Sequence, residues 1–113
     1  MNARDYYLHV QSVISQSHLV ISNSLSFNEI DSHECYVRGT LTLINGWNLH
    51  IAEYVITAPI LKRLKYRYQL QQNNGALISR WDNAPHRHDE REEVFPSQPM
   101  DIPRVLAEII ALF

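Results

Sequence analysis

Cysteine is nearly absent from this chain. Cys35 stands alone, which excludes an intramolecular disulfide framework and every thiolate zinc site that needs two or more sulfurs. This usage predicts a reducing, cytoplasmic compartment. Long apolar runs are missing too, none approaching the ~18 residues of a membrane span, and the opening MNARDYYLHVQS has no basic segment followed by an apolar one. A soluble, unsecreted protein without a membrane partner is expected. An excess of positive charge is the third absence. Ten Lys and Arg against twelve Asp and Glu give a net charge of -2, so the overall charge points neither to nucleic acid nor to a membrane surface.

What is present suffices for a folded core. The 113 residues are 45% hydrophobic and 19% charged, well away from disordered and low-complexity compositions. A chain of this size buries about two-thirds of its surface on folding. One domain spanning residues 1–113 is expected.

Residues 2–15 have the period of an amphipathic helix, with Tyr6, Tyr7, Val10, Val13 and Ile14 on one face, Asn2 as N-cap and Asp5 in the first turn. From His18 to Asp82 the period changes to two, as in consecutive hairpins. Leu19, Ile21, Leu25 and Phe27 mark a first strand, ending at the polar stretch 28–34. Tyr36 to Ile44 is a second, and Asn45-Gly46 turns it into a third from Asn48 to Thr57, which Pro59 stops. Lys62 to Gln71 is a fourth, and Asn73-Asn74-Gly75 leads to a fifth, Ala76 to Trp81. Residues 83–100 hold three of the five prolines and read as a long surface loop. A last helix starts at Asp101 with Pro103 in its first turn and an apolar face of Ile102, Val105, Leu106, Ile109, Ile110 and Phe113. The expected fold class is α+β: a single two-layer domain, its antiparallel meander of four to five strands packed by an N-terminal and a C-terminal helix.

Charge is unevenly distributed along the chain. Lys62, Arg63, Lys65 and Arg67 lie within LKRLKYRY, and no acidic residue occurs between Ala58 and Trp81. On a regular strand Arg63, Lys65, Arg67 and Gln69 point one way, Leu64, Tyr66, Tyr68 and Leu70 the other. Such a row suits a phosphate backbone, and equally suits an edge strand protected from aggregation.

The densest polar cluster is RWDNAPHRHDE, residues 80–90. Arg80 suits neutralisation of a phosphate, while His86 or His88, titrating near neutrality, suits proton transfer at a ribose hydroxyl. The plainer alternative is a strand-ending turn, with Asp82 and Asn83 as turn formers and Arg80 paired with Asp82. Histidines two apart also chelate metals. A third ligand would then come from Asp82, Asp89 or Glu90, and a further one from a distant element, where His9, His18, His33 and His50 are on offer. Glu53 fits two registers. With Leu49, Ile51 and Val55 inside it is desolvated and its pKa raised; with His50, Ala52, Tyr54 and Ile56 inside it faces water. The acidic run Asp89, Glu90, Glu92, Glu93 reads as solvated loop.

Taken together, KYRYQLQ (65–71), NGALISRWDNAPH (74–86) and Phe95-Pro96 resemble the TumE family, toxins of bacterial and archaeal toxin-antitoxin pairs. In that pattern a Lys-Tyr-x-Tyr strand precedes a turn, an Arg-aromatic-Asp-Asn-Ala-Pro-His segment follows, and Phe-Pro comes later with further histidines. The matching positions are Lys65, Tyr66 and Tyr68, then Arg80 through His86. The Asn45-Gly46 turn with Leu49 and Glu53 resembles the family's upstream hairpin, so the likeness covers about residues 35–96. Arg87, Ser97 and Gln98 stand where the family tends to place histidine.

The resemblance implies a toxin with a cognate antitoxin as partner. Side-chain chemistry adds an expected action on RNA, by binding or by metal-independent cleavage. Lys65, Arg67 and Asn83 would contact the nucleic acid, Tyr66 and Tyr68 would stack bases if exposed, and His86, Asp82, Arg80 and His88 would form the catalytic group. No cofactor is expected, and a homodimer is one assembly considered. The alternatives are a non-catalytic protein-binding module of the same fold and a metal hydrolase centred on His86 and His88.

Overall fold

The computed structural model describes residues 1–83 and 100–113. Helix α1 (Ala3–Ser15) begins where expected and for the expected reason. The Asn2 side chain accepts from the Asp5 amide at 2.7 Å, and the Asp5 carboxylate reaches back to the Asn2 amide at 3.5 Å. These reciprocal bonds satisfy donors that the first helical turn leaves without partners. Its buried side, Ala3, Tyr6, Val10 and Ile14, keeps the 3- and 4-residue spacing of one helix face. Helix α2 (Ile102–Ile110) is capped by Asp101, which accepts from the Arg104 amide at 2.9 Å, with Pro103 in its first turn.

Between the helices run β1 (Val20–Asn23), β2 (Ser26–Asp31), β3 (Glu34–Leu43), β4 (Asn48–Ile56), β5 (Lys62–Gln71) and β6 (Leu77–Asp82). All pairings are antiparallel. The order is β1-β3-β4-β5-β6, and β2 lies beside β3 further along the same edge as β1. The single first strand expected from Leu19 to Phe27 is thus two strands. The break falls at Ser24 and Leu25, which crowd onto Gly39 of β3. A Cβ at Gly39 would lie 2.3 Å from the Ser24 carbonyl oxygen and 2.7 Å from the Leu25 Cα, so only glycine lets the backbones approach. The polar stretch at which the first strand is expected to end is strand through Asp31, because its backbone pairs with β3 while its side chains stay exposed.

Leu41, Leu43, Leu49, Val55, Tyr68 and Leu70 from the sheet, with Tyr6, Val105 and Ile109 from the helices, are almost wholly buried. Burying each such aliphatic side chain stabilises the fold by about 1.5–3 kcal/mol. Trp81 locks β6 to α2 by donating Nε1–H to Glu108 at 2.9 Å. Both helices cover the same side of the sheet, and the architecture is the two-layer α+β arrangement expected. No helix among the described residues is long and apolar enough to cross a membrane.

Candidate functional site

The β3–β4 hairpin decides which residues face outward. Read as a two-residue turn, Asn45-Gly46 would pair Ile44 with Trp47 and carry Glu53 opposite Arg38. Instead the Leu43 amide donates to the Trp47 carbonyl at 2.9 Å, closing a three-residue loop with Gly46 at φ +90°. A left-handed residue ending a three-residue loop is the ordinary partner of that longer connection. The extra residue puts Glu53 opposite Val37 and Ala52 opposite Arg38. Leu49, Ile51, Glu53 and Val55 therefore point under the helices, and His50, Ala52 and Tyr54 point out.

Carried across the sheet, this register builds, on the side away from both helices, a face in rows. One row is Tyr36, Tyr54 and Lys65; the next is Arg38, Ala52, Arg67 and Asp82; the third is Thr40, His50, Gln69 and Arg80. The Tyr36 and Tyr54 rings stack with centroids 4.8 Å apart, and the Arg38 guanidinium lies over the Tyr36 ring at 5.1 Å. The Tyr54 hydroxyl donates to the Glu34 carboxylate, and that bond first of all pushes its pKa up to about 12. His50 sits between Thr40 and Gln71, its Nδ1 2.9 Å from the Thr40 hydroxyl and its Nε2 3.2 Å from the Gln71 side-chain oxygen. The side chains of Lys65 and Arg67 are exposed and make no hydrogen bond or ion pair with the described residues. A concavity of about 440 Å³ opens over this face, with Arg38, Ala52, Tyr54, Lys65 and Arg67 among its walls.

The predicted site residues divide. Lys65, Arg67, Arg80 and Asp82 come together on the open face, and Arg80 donates Nε–H to Gln69 at 3.3 Å. Tyr66 and Tyr68 do not join them. They are 6% and 0% exposed, lie within the core and stack on each other at 5.5 Å, so neither offers a ring face to a base. Asn83 is spent on the backbone: its side chain accepts from the Tyr66 amide and donates to the Leu64 carbonyl, both at 3.0 Å. It is a clamp on β5 and not a free amide for a ligand. His86 and His88, with Asp89 and Glu90 and the expected loop through Pro99, lie outside the described residues. Among the described residues no three His, Cys, Asp or Glu side chains gather as metal ligands.

Arg63 also departs from the expected row. Tyr54 pairs with Lys65 but Val55 pairs with Arg63, leaving Leu64 as an extra residue in β5. A bulge of this kind reverses the faces on one side of it. Arg63 turns inward beneath α1, while Leu64 moves to the outer rim of the concavity. The Asn83 clamp grips the two residues Leu64 and Tyr66 at that bulge.

Under the helices Arg63 meets a buried acid. Glu53, 2% exposed, accepts from both the Tyr6 and Tyr68 hydroxyls, with Arg63 Nε 3.6 Å away and also donating to the Tyr6 oxygen at 3.0 Å. Burial raises the Glu53 pKa, and the two phenols and the guanidinium oppose it. The same desolvation, reinforced by the carboxylate, drives both tyrosines well above their ordinary range. These groups join α1, β4 and β5 by charge-assisted bonds. A hollow of about 40 Å³ beside them, with His9 and Asp101 in its wall, has room for water and not for a substrate. The network is therefore placed to hold the helix layer on the sheet.

Tyr36, Arg38, Ala52 and Tyr54 on the open face carried no motif and were not singled out in the sequence. The signal that reveals them is positional: once the hairpin register is known, Tyr54 and Ala52 pair with Lys65 and Arg67, and Tyr36 and Arg38 continue the same rows on β3. No curated protein and no solved structure matches the chain. The family model described as Toxin TumE matches residues 10–113, which takes in the six strands, α2 and the segment between them. With nearly the whole length matched, the chain belongs to the TumE toxin family.

Proposed function

We propose that this toxin arrests growth by acting on RNA in the cytoplasm, that it binds RNA on the open sheet face, and that its antitoxin restrains it. The observation that carries the reading is the sheet face that neither helix covers. Arg38, Lys65, Arg67 and Arg80 share it, and both helices lie on the opposite side. The net charge of -2 is unevenly placed among the described residues: Glu34, bonded to Tyr54, and Asp82, opposite Arg67, reach the open face, while others lie away from it. Asp5, Glu29, Asp101 and Glu108 belong to the helices or to the β2 edge, and Glu53 is buried with Arg63. A local cationic surface on a low-dielectric sheet concentrates phosphate whatever the total charge.

In this reading Lys65, Arg67 and Arg38 hold phosphates, and Arg80 with Asp82 would act together with His86 and His88, which follow them in the sequence. Arg80 would neutralise the reacting phosphate, one histidine would take the 2′-hydroxyl proton, and Asp82 would orient it. Arg87, Ser97 and Gln98 in place of family histidines make a purely binding toxin the competing form of the same reading.

The test is induction of wild type, His86→Ala and the double variant Lys65→Ala/Arg67→Ala in growing cells. Total RNA is examined after induction, and folding of each protein is checked by circular dichroism. Arrest with RNA fragments in wild type, lost in His86→Ala, supports cleavage. Arrest that persists in His86→Ala but not in the charge variant supports binding without catalysis. Arrest unaffected by Lys65→Ala/Arg67→Ala overturns the open face as the RNA site.

A further inference from the structure

The open face is not flat, and the reason is one residue. Ala52 is the direct cross-strand neighbour of both Arg38 and Arg67, so a methyl group stands between two guanidinium side chains. The row beside it supplies an aromatic wall, Tyr36 stacked on Tyr54, and ends in Lys65. The bulge at Leu64 adds an apolar rim. The resulting hollow of about 440 Å³ is within the range of small-ligand pockets.

Its chemistry is as particular as its size. The aromatic wall is preset, because Tyr54 is tied to the Glu34 carboxylate and Arg38 covers Tyr36. Beside it, Lys65 and Arg67 are cations without partners among the described residues. An aromatic surface next to uncommitted cations fits a planar heteroaromatic group that carries a phosphate. A buried core tyrosine could not serve this purpose, and neither could a row of cations alone.

We propose that the well over Ala52 takes one unstacked nucleotide of single-stranded RNA, its base against the Tyr36–Tyr54 pair and its phosphate on Arg67 and Lys65. This rests on the RNA reading above and sharpens it. The bound strand must give up a base from its stack, so the site selects single strands over duplex. The remaining cations, Arg38 and Arg80, then track the backbone on either side.

Ala52→Ile is the discriminating variant. It fills the well, changes no charge, lies on the face away from the core, and places a β-branched residue in a strand where it is favoured. Tyr36→Leu is the companion, removing the stacking surface while keeping an apolar side chain. The probes are a fluorescein-labelled 12-nucleotide single-stranded RNA of mixed sequence and the same sequence as duplex, titrated by fluorescence anisotropy. Circular dichroism and melting curves run alongside.

The expected result is tighter binding of the single strand than of the duplex, with Ala52→Ile and Tyr36→Leu each weakening it at least tenfold. If both variants bind like wild type while Arg67→Ala weakens binding, the cationic face binds RNA without the well and the present inference falls alone. Duplex binding equal to single-strand binding also overturns it. If wild type binds neither probe, or Arg67→Ala has no effect, the RNA reading falls and takes this inference with it.

Discussion

Replacing Arg63 with methionine tests the buried network directly, since methionine keeps the unbranched bulk and removes the cation. In the native fold Arg63 Nε is 3.6 Å from a Glu53 carboxylate whose side chain has no exposure. Breaking a fully buried ion pair costs about 3–5 kcal/mol. The Arg63 side chain keeps 18% exposure and water screens part of the attraction, so the expected loss at pH 7.5 is about 2–3 kcal/mol. The loss must also depend on pH. Without Arg63 the Glu53 pKa, already raised by burial, rises further above its unfolded value of about 4.3. A group whose pKa is raised by folding contributes its full stability below the unfolded pKa and loses it as pH climbs through the folded one. The cost of R63M should therefore be larger at pH 7.5 than at pH 5.5, with a slope no steeper than ~1.4 kcal/mol per pH unit for one proton. Urea unfolding of wild type and R63M at both pH values, followed by tryptophan fluorescence, measures it. The double variant Glu53→Gln/Arg63→Met should recover at least half the loss at pH 7.5, because no unpaired charge is left behind. A cost below about 0.5 kcal/mol, or one equal at the two pH values, would refute the assignment of Glu53 as a buried carboxylate held by Arg63.

Three further outcomes are expected. Gly39→Ala should cost about 2–3 kcal/mol, since its Cβ would meet backbone atoms that cannot rotate away; a melting temperature within a degree or two of wild type would contradict the close approach of β3 to Ser24. Asn83→Ala should lose about 1–2 kcal/mol with its two bonds to β5, and Asn83→Asp, which keeps the acceptor for the Tyr66 amide, should lose less; equal losses would show that the clamp acts otherwise. Cys35, fully buried with its thiol pushed up to about 11 chiefly by that burial and then by Glu53, should resist a thiol-reactive disulfide reagent at pH 7.5 and react once unfolded. Stoichiometric labelling of the native protein within minutes would place it elsewhere.

The legible parts of this protein were those set by neighbours in the chain. The caps at Asn2 and Asp101, most of each helix face and the strands from Glu34 to Asp82 depend on residues within one or two turns, so local propensity and amphipathic spacing placed them, whereas Ile110 and Phe113, expected on the apolar face of the last helix, are exposed. The family likeness was legible for the same reason, as continuous stretches around Lys65 and Arg80, and the match over residues 10–113 bears it out. The cationic strand was found, but not its composition.

Tertiary structure decided the faces. One extra residue in the loop at Gly46 sends Glu53 inward and Ala52 outward, and one extra residue at Leu64 turns Arg63 from the expected row to a buried partner. Tyr66 and Tyr68, suited by chemistry to stacking bases, are core because helices cover their side, whereas Tyr36 and Tyr54 hold the open side. In a strand a shift of one residue exchanges inside for outside. Composition and period therefore determine that there is a sheet with a cationic strand, and only the pairing of strands, closed loop by loop and bulge by bulge, determines which side chains meet on its open face.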